Sequence, residues 1–457
     1  MKKSPKLTRR AFLTVSTTSA IGLSLSPRCN AAKVVPGKIS PNEKLNIAGV
    51  GTGGQGRSDI MSCRKENIVA LCDVDKTRSL EVFTNFPKAK KFTDFRKMLE
   101  KRHKDIDAVT VTVPDHTHAH VAYMAMKMGK HVYVQKPLTH TVAEARLLTN
   151  TAREMGIATQ MGNQGHSGNG VRRQCEMVWS GAIGQVREAH VWTNRPSWEQ
   201  GINHALEGQE VPKTLDWKQW LSGSADRPYN QGYLPGKWRG WQDFGAGALG
   251  DMACHIMDPV FWSLRLNEAE SYTVETVDIK GKNNFTFPHA STIKYSFSAR
   301  GDMDPVDVYW YDGGHMPPRP AGIPDNQVIG DGEWAGRTNG SYMVGDDGVL
   351  TAGEYGGNPR FLPDERMAEY TMPEESIPRV KFQNHYRNWI EACKGLHVAC
   401  SNFDYSGPFT EMVLFGNLTI RTGEKYEWDN KSGLVKNVAD PKAAVTKEYK
   451  KGWELPV

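Results

Sequence analysis

Leu45-Asn46-Ile47-Ala48-Gly49-Val50-Gly51-Thr52-Gly53-Gly54-Gln55-Gly56 is an apolar run that passes directly into a glycine-rich turn. The run predicts a buried strand. The turn fits G-x-G-x-x-G in two registers, Gly51/Gly53/Gly56 and Gly49/Gly51/Gly54. The first register puts the glycines at the strand end. There Gly51 permits the tight turn, Gly53 lets backbone approach a pyrophosphate, and Gly56 allows close helix–strand packing. Thr52, Gly54 and Gln55 complete the loop, and the helix behind it offers free N–H groups to phosphates. A second apolar run, Ile68–Cys72, ends at Asp73, 20 residues past Gly53. A carboxylate at this distance accepts bonds from an adenosine ribose; the competing role is an ordinary cap of the next helix. Asp73 would repel a 2′-phosphate and Val74 supplies no cation, so NAD is expected over NADP, with Arg78 counting the other way.

The alternation continues outward from this unit. Strands are predicted at Ala108–Val113, His131–Val134 and Ile157–Met161, and helices at His120–Lys130 and Val142–Met155. Strand–helix alternation implies an α/β fold with a doubly wound parallel sheet, whose ligands sit at the strand C-terminal ends. Asp115, Lys136, Gln164 and His166 fall at those ends. Beyond residue 165 the texture changes. Strands are predicted at Val186–Trp192, Tyr272–Lys280, Thr292–Ser298 and Val306–Tyr311, long loops over 312–360, and a helix over Phe382–Lys394. The expected organisation is a leader (1–31), a linker (32–44), a dinucleotide-binding domain (45–165), an α+β domain with a largely antiparallel sheet (166–430) and a polar tail (431–457).

The chain has 457 residues, 24% charged and 39% hydrophobic, with a net charge of +6. Six of the 57 basic residues lie before residue 32 with no acid among them, leaving 51 basic against 51 acidic. A formally neutral body lacks the cation surplus of a nucleic-acid binder. Thr8-Arg9-Arg10-Ala11-Phe12-Leu13, the mildly apolar Val15–Leu25 and small residues at 29–32 read as a secretory signal. The arginine pair resembles a twin-arginine signal, which predicts export to the periplasm with the twin-arginine translocase as a transient partner. The apolar stretch is too short to span a bilayer, and Cys29 after Pro27-Arg28 lacks a lipoprotein box, so no stable membrane anchor is expected. The remaining six cysteines have no metal spacing. Cys393 and Cys400 are the one pair close enough in sequence to suggest a bridge.

The glycine loop, Val113-Pro114-Asp115-His116-Thr117-His118, Gly129-Lys130-His131-Val132, Lys136-Pro137 and Gly247-Ala248-Leu249-Gly250-Asp251-Met252-Ala253-Cys254-His255 together resemble the Gfo/Idh/MocA oxidoreductases, which include glucose–fructose oxidoreductase and inositol dehydrogenase. That family usually has Glu-Lys-Pro where this chain has Gln135-Lys136-Pro137. Asn163-Gln164-Gly165-His166-Ser167 resembles an exported bacterial branch, some members of which are related to NAD-dependent glycosidases. The resemblance implies a Rossmann domain followed by an open-sheet domain, a cis Lys136–Pro137 bond, and a homodimer or homotetramer. It implies that His255 is the acid/base, Asp251 its partner and a sugar ligand, and Lys136 a donor to the reacting hydroxyl. Pro114, His118, Lys136 and Gln164 would join the glycine loop and Asp73 around the cofactor.

The residue types suit that chemistry. Removing a hydride from a carbinol carbon requires that its O–H proton leave, for which a histidine near a carboxylate is fitted. Asp251 and His255 are four apart and share a helix face if Ala248–Leu264 is helical. His116, His118 and His120 also permit a zinc reading, but no cysteine or acidic cluster joins them, so no metal is expected. His166 and Gln164 are read either as substrate or nicotinamide contacts or as loop structure. Trp192, Trp198, Trp217, Trp220, Trp238 and Trp241 crowd one segment; most are expected to pack, with Trp198 and Trp238 chosen as sugar-stacking candidates and Asn194, Arg195 and Arg239 as hydroxyl ligands. Three functions fit: a sugar or polyol dehydrogenase with net turnover, an enzyme that oxidises, eliminates or hydrolyses and then reduces, and a non-enzymatic nucleotide sensor. Intact Lys136, Asp251 and His255 weigh against the third.

Overall fold

A computed structural model describes residue 40 and residues 42–332 and 338–457. The expected leader and residues 32–39 of the linker lie outside the described residues. Six strands, β1 (Asn46–Val50), β2 (Asn67–Cys72), β3 (Lys90–Phe92), β4 (Ala108–Val111), β5 (His131–Val134) and β6 (Thr159–Met161), form one sheet in the order β3-β2-β1-β4-β5-β6. Every pairing is parallel. The central strands read as unbroken apolar runs because helices cover both faces. The strand order reverses between β1 and β4, which opens a crevice at their C-terminal ends.

The helices begin where capping chemistry permits. Helix Val142–Met155 opens with a Thr141/Glu144 capping box and closes at Gly156 in the left-handed region. Helix Asp115–Lys127 starts earlier than the expected His120. Pro114 pre-sets its entry and Asp115 places a carboxyl group in the first turn. The earlier start puts His116, His118 and His120 inside the helix.

The second layer is a nine-stranded sheet. Its strands are β7 (Val186–Trp192), β8 (Ser271–Lys280), β9 (Ala290–Phe297), β10 (Val306–Asp312), β11 (Gly340–Gly345), β12 (Gly348–Ala352), β13 (Arg360–Leu362), β14 (Tyr426–Asp429) and β15 (Leu434–Val435). They run β13-β12-β11-β7-β10-β9-β8-β14-β15, antiparallel throughout except for β7 beside β10. The loops expected over 312–360 thus contain a hairpin, β11–β12, which turns at Asp346-Asp347. The helix expected over Ala248–Leu264 is two, Gly247–Ile256 and Asp258–Ser263. Pro259 has no N–H to continue the first ladder and sits instead in the first turn of the second helix.

Residues 431–457 begin inside this sheet, with β15 paired to β14. They then return to the first domain, where Lys447 Nζ and Tyr449 Oη reach the buried Glu144 at 3.0 and 2.9 Å. The suggested Cys393–Cys400 bridge is not formed: all six described cysteines are free.

Candidate active site

A cavity of about 580 Å³ runs along the crevice between β1 and β4. One end is walled by Gly51, Gly53, Gly54, Gln55, Asp73 and Arg78, the other by Lys136, Gln164, Trp238, Arg239, His255 and Tyr355. Pro114 and His118 lie on the wall between them.

The glycine geometry selects between the two registers. Gly51 turns the chain at φ +79°, and a Cβ there would lie 2.1 Å from the Thr112 carbonyl oxygen. A Cβ on Gly56 would lie 2.1 Å from the Gly51 carbonyl oxygen, so this glycine is what lets the helix abut the strand end. The tight turn and the close helix contact therefore belong to Gly51 and Gly56, as the Gly51/Gly53/Gly56 register requires.

Asp73 is not the cap of the next helix. That role is filled by Asp75, which accepts from Thr77 and Arg78 N–H groups. Asp73 Oδ2 instead accepts from the backbone of Thr52 (2.6 Å) and Gly53 (3.2 Å) and from Thr52 Oγ1 (3.1 Å). It ties the loop to the end of β2, and burial pushes its pKa up. Thr52 is therefore turned into the protein and, like Gly56, supports the cavity from behind its wall.

At the other end three charges meet. Lys136 Nζ donates to Asp251 Oδ1 and to the Asp251 carbonyl, both at 2.8 Å. Arg239 Nε donates to the same Oδ1 at 2.9 Å. The pair of cations, Lys136 first, draws the Asp251 carboxyl well below the usual carboxylate range against the opposing effect of burial. Asp251, expected as the partner of His255, has its carboxylate taken by the two cations, which offer strong charge-assisted bonds. Asp251 acts on His255 through its charge alone. The Lys136–Pro137 bond is cis.

His255 lines the cavity with Nδ1 free of any protein partner. Burial, then the neighbouring Lys136 charge, lowers its pKa to about 3. It is a neutral imidazole, the form that accepts a proton. Tyr355 packs edge-on against it, ring centres 4.8 Å apart.

Tyr355 was not among the expected site residues. It sits in the expected loop region at φ +60°, and Gly165 makes room for it: a Cβ there would lie 2.6 Å from Tyr355 Cδ1. The glycine of Asn163-Gln164-Gly165-His166 was the available signal. Gln135 and Trp220 also reach the wall. Gln135 Nε2 donates to both oxygens of the fully buried Asp59, at 3.1 and 3.0 Å. Asp59 also accepts from Thr112 Oγ1 (2.6 Å), Tyr386 Oη (2.7 Å) and Gln55 Nε2 (2.8 Å).

Three substrate candidates are off the wall. His166 is buried, its Nδ1 3.0 Å from the Asp258 carboxylate and its ring packed between Trp262 and Tyr405; the structural reading of that residue prevails. Trp198 spends its Nε1–H on Gln200, and Arg195 hydrogen-bonds its neighbour Asn194. Of the six tryptophans only Trp220 and Trp238 line the cavity, and Arg239 lies over the Trp238 ring at 4.4 Å. The histidines that permitted a zinc reading are engaged otherwise. His116 lies between the Phe244 and Trp220 carbonyls, and His118 lies 2.8 Å from both the Val113 and Pro137 carbonyls. Burial keeps His118 neutral, at about 4, so it donates to one of the two and bridges β4 to the Lys136 turn.

Residues 45–163 match the family model described as an oxidoreductase family, NAD-binding Rossmann fold, and residues 178–300 match its C-terminal alpha/beta domain. The chain belongs to the Gfo/Idh/MocA family. A glycosyl hydrolase family 109 protein of Solibacter usitatus is 31% identical over 162 residues, covering 32% of this chain and 36% of that relative. The chain thus matches the curated relatives over little more than a third of their length. Among solved structures, an oxidoreductase domain protein from Kribbella flavida superposes with a TM-score of 0.56 at 18% identity, over 84% of this chain and 99% of that one. The WlbA dehydrogenase from Bordetella pertussis, solved with NADH and UDP-GlcNAcA, gives 0.55 at 14% identity over 84% and 98%. These likenesses share the Gfo/Idh/MocA fold. The residues here fit NAD: the glycine cradle is one that side chains would fill, and Asp73 stands at the β2 end where a ribose would lie.

Proposed function

We propose that this Gfo/Idh/MocA protein acts on a hydroxyl of a sugar, polyol or glycoside and keeps its NAD through the catalytic cycle. The observation that carries the reading is the convergence of Lys136, Asp251, Arg239 and a neutral, cavity-lining His255 at the far end of the cavity walled by the glycine loop. NAD held by Gly51, Gly53, Gly54, Gln55 and Asp73 would supply the hydride acceptor. His255 takes the hydroxyl proton. Lys136, clamped on Asp251, presents its ammonium to the oxygen as that oxygen becomes a carbonyl. Trp238, backed by Arg239, offers a flat face for the sugar ring.

A second reading has its own support: the Solibacter relative is named a glycosyl hydrolase. In that version the transient keto-sugar loses its glycosidic substituent by elimination or hydrolysis before reduction, with no net redox change. Both readings agree with the twin-arginine pair Arg9-Arg10, which we take as an export signal. That pathway carries folded, cofactor-loaded proteins to a periplasm without a dependable NAD pool, so a released cofactor would end turnover. We expect a homodimer or homotetramer. The test is purification of the exported protein followed by gel filtration and assay on sugars and glycosides. The proposal expects nicotinamide to remain bound and substrate to convert without stoichiometric NADH in solution. Empty protein that makes one NADH per substrate from added NAD would sink it and favour a simple dehydrogenase.

A further inference from the structure

The cavity wall opposite the glycine loop does not come from the Rossmann domain. It comes from Val211–Ser222, a segment inserted between β7 and helix Gly247–Ile256. Leu215, Gln219, Trp220 and Ser222 from this segment line the same cavity as Gly53, Asp73, Arg78 and Phe95. Its attachment flanks the ribose-end acid. Leu215 forms an isolated β-bridge with Asp75. Lys76 N–H donates to the Thr214 carbonyl at 3.0 Å, and Asp216 N–H donates to the Val74 carbonyl at 2.9 Å. Gln219 reaches Asp94 and Arg96, both at 3.5 Å.

The segment is also held from behind. His116 lies between the rings of Trp220 and Phe244, each 5.2 Å away, with a ring nitrogen 3.0 Å from the Trp220 carbonyl. The Gly223 carbonyl accepts from Lys450 N–H at 2.9 Å in the C-terminal segment. Between the two attachments Ser222, buried and non-glycine, is forced to φ +49°. Strain of this kind persists only where the surroundings over-determine it.

We propose that Val211–Ser222 is a strap closing the glycine-loop half of the cofactor cleft, and that its bonds to Val74–Lys76 and, through Gln219, to Asp94 and Arg96 set the rate at which NAD leaves. The inference rests on the reading that NAD occupies this cavity, and it supplies a physical means of retention. A dinucleotide leaving sideways past Asp73 must part the two backbone hydrogen bonds that make up the Leu215–Asp75 bridge.

The structure offers a clean way to loosen the strap. Lys76 is the first residue of helix Lys76–Asn85, where proline is tolerated, and Asp75 before it is extended at φ −115° as proline requires. Lys76→Pro removes the donor to Thr214 and no helix hydrogen bond; Gln219→Ala removes the side-chain link to Asp94 and Arg96. Protein loaded with NADH is chased with excess NAD, and release is followed by nicotinamide fluorescence. The combined variant should release NADH about tenfold faster or more, with Gln219→Ala alone intermediate and melting of the cofactor-free protein unchanged. Release at the parent rate in both variants overturns the strap. If Lys76→Pro does not fold, the Gln219→Ala rate decides. Parent protein that purifies without nicotinamide overturns the retained-cofactor reading, while the ratio of variant to parent release rates still decides the strap.

Discussion

Asp251→Asn tests the charge arrangement on which the proposed chemistry depends. Its carboxylate meets Lys136 at 2.8 Å and Arg239 at 2.9 Å, with side chains only 12–31% exposed. At an effective dielectric constant of 20, unit charges at this spacing attract by about 6 kcal/mol per pair before desolvation is subtracted. Removing the anion leaves two cations in a partly buried pocket. Loss of one partner from a buried pair typically costs about 3–5 kcal/mol, because the remaining charge stays desolvated. Asparagine keeps the shape and one acceptor oxygen, so the lower end, about 3 kcal/mol, is expected. In a chain of this size that lowers the melting temperature by about 3 °C. Turnover should fall by about 10²-fold or more, because Lys136 loses the clamp that aims it. Thermal melting and a turnover assay on the same preparation measure both. Pairing Asp251→Asn with Arg239→Gln should recover part of the stability by removing one orphaned cation, a non-additivity that a double-mutant cycle reads directly. An Asp251→Asn protein that melts with the parent, with additive effects in the cycle, would refute the argument that the carboxylate neutralises both cations.

Three further outcomes are expected. Asp73→Ala should weaken NAD binding about 10–100-fold, by loss of charge-assisted bonds and of the Thr52–Gly53 tether, and narrow the preference over NADP; a titration with unchanged affinity for both contradicts the assignment. Gln135→Glu should destabilise the protein and Asp59→Asn in the same chain should restore it, as measured by melting temperature; a Gln135→Glu protein as stable as the parent rejects the pairing. Burial holds His116 and His255 to about 3 and His118, His120 and His385 to about 4. The unfolded chain therefore binds more protons between about pH 6.5 and 4, and stability should fall on acidification by about 1.4 kcal/mol per pH unit for each unmatched proton. Asp115, pushed up to about 8 by burial, works the other way and offsets part of this; a melting temperature that rises from pH 6.5 to 4.5 rules the account out.

Five of the six parallel strands were legible because each lies in a short apolar run bounded by glycine or a capping residue close in sequence; β3, Lys90-Lys91-Phe92, has no such run and was missed. Val142–Met155 was predicted to the residue, since its capping box and terminal Gly156 are local signals. What failed was non-local. Asp251 and His255 share a helix, as their spacing predicted, but the partner of Asp251 was decided by Lys136 and Arg239, which approach from other elements. His166 occupies a strand end, where ligand contacts concentrate, yet Asp258 and two aromatic rings claim it from a different part of the chain. The β11–β12 hairpin was hidden because its strands sit in a stretch dominated by glycine, proline and aspartate.

Gln135 shows the same limit from the opposite side. Set against Glu-Lys-Pro, it reads as a missing carboxylate. In the folded chain a carboxylate is present beside it, delivered by Asp59 from helix Gln55–Ser62. Two carboxylates within hydrogen-bonding distance cannot both ionise without a large cost, so a glutamate at 135 would repel Asp59 or take up a proton. An amide removes the conflict, because its Nε2 donates to both Asp59 oxygens. The acceptor capacity of Asp59 is then filled by Gln55, Gln135, Thr112 and Tyr386, drawn from four different segments. That junction joins the glycine-loop helix, the end of β4, the Lys136 turn and the C-terminal domain. The amide at 135 is therefore matched to a carboxylate 76 residues upstream, and only the tertiary structure brings the two together.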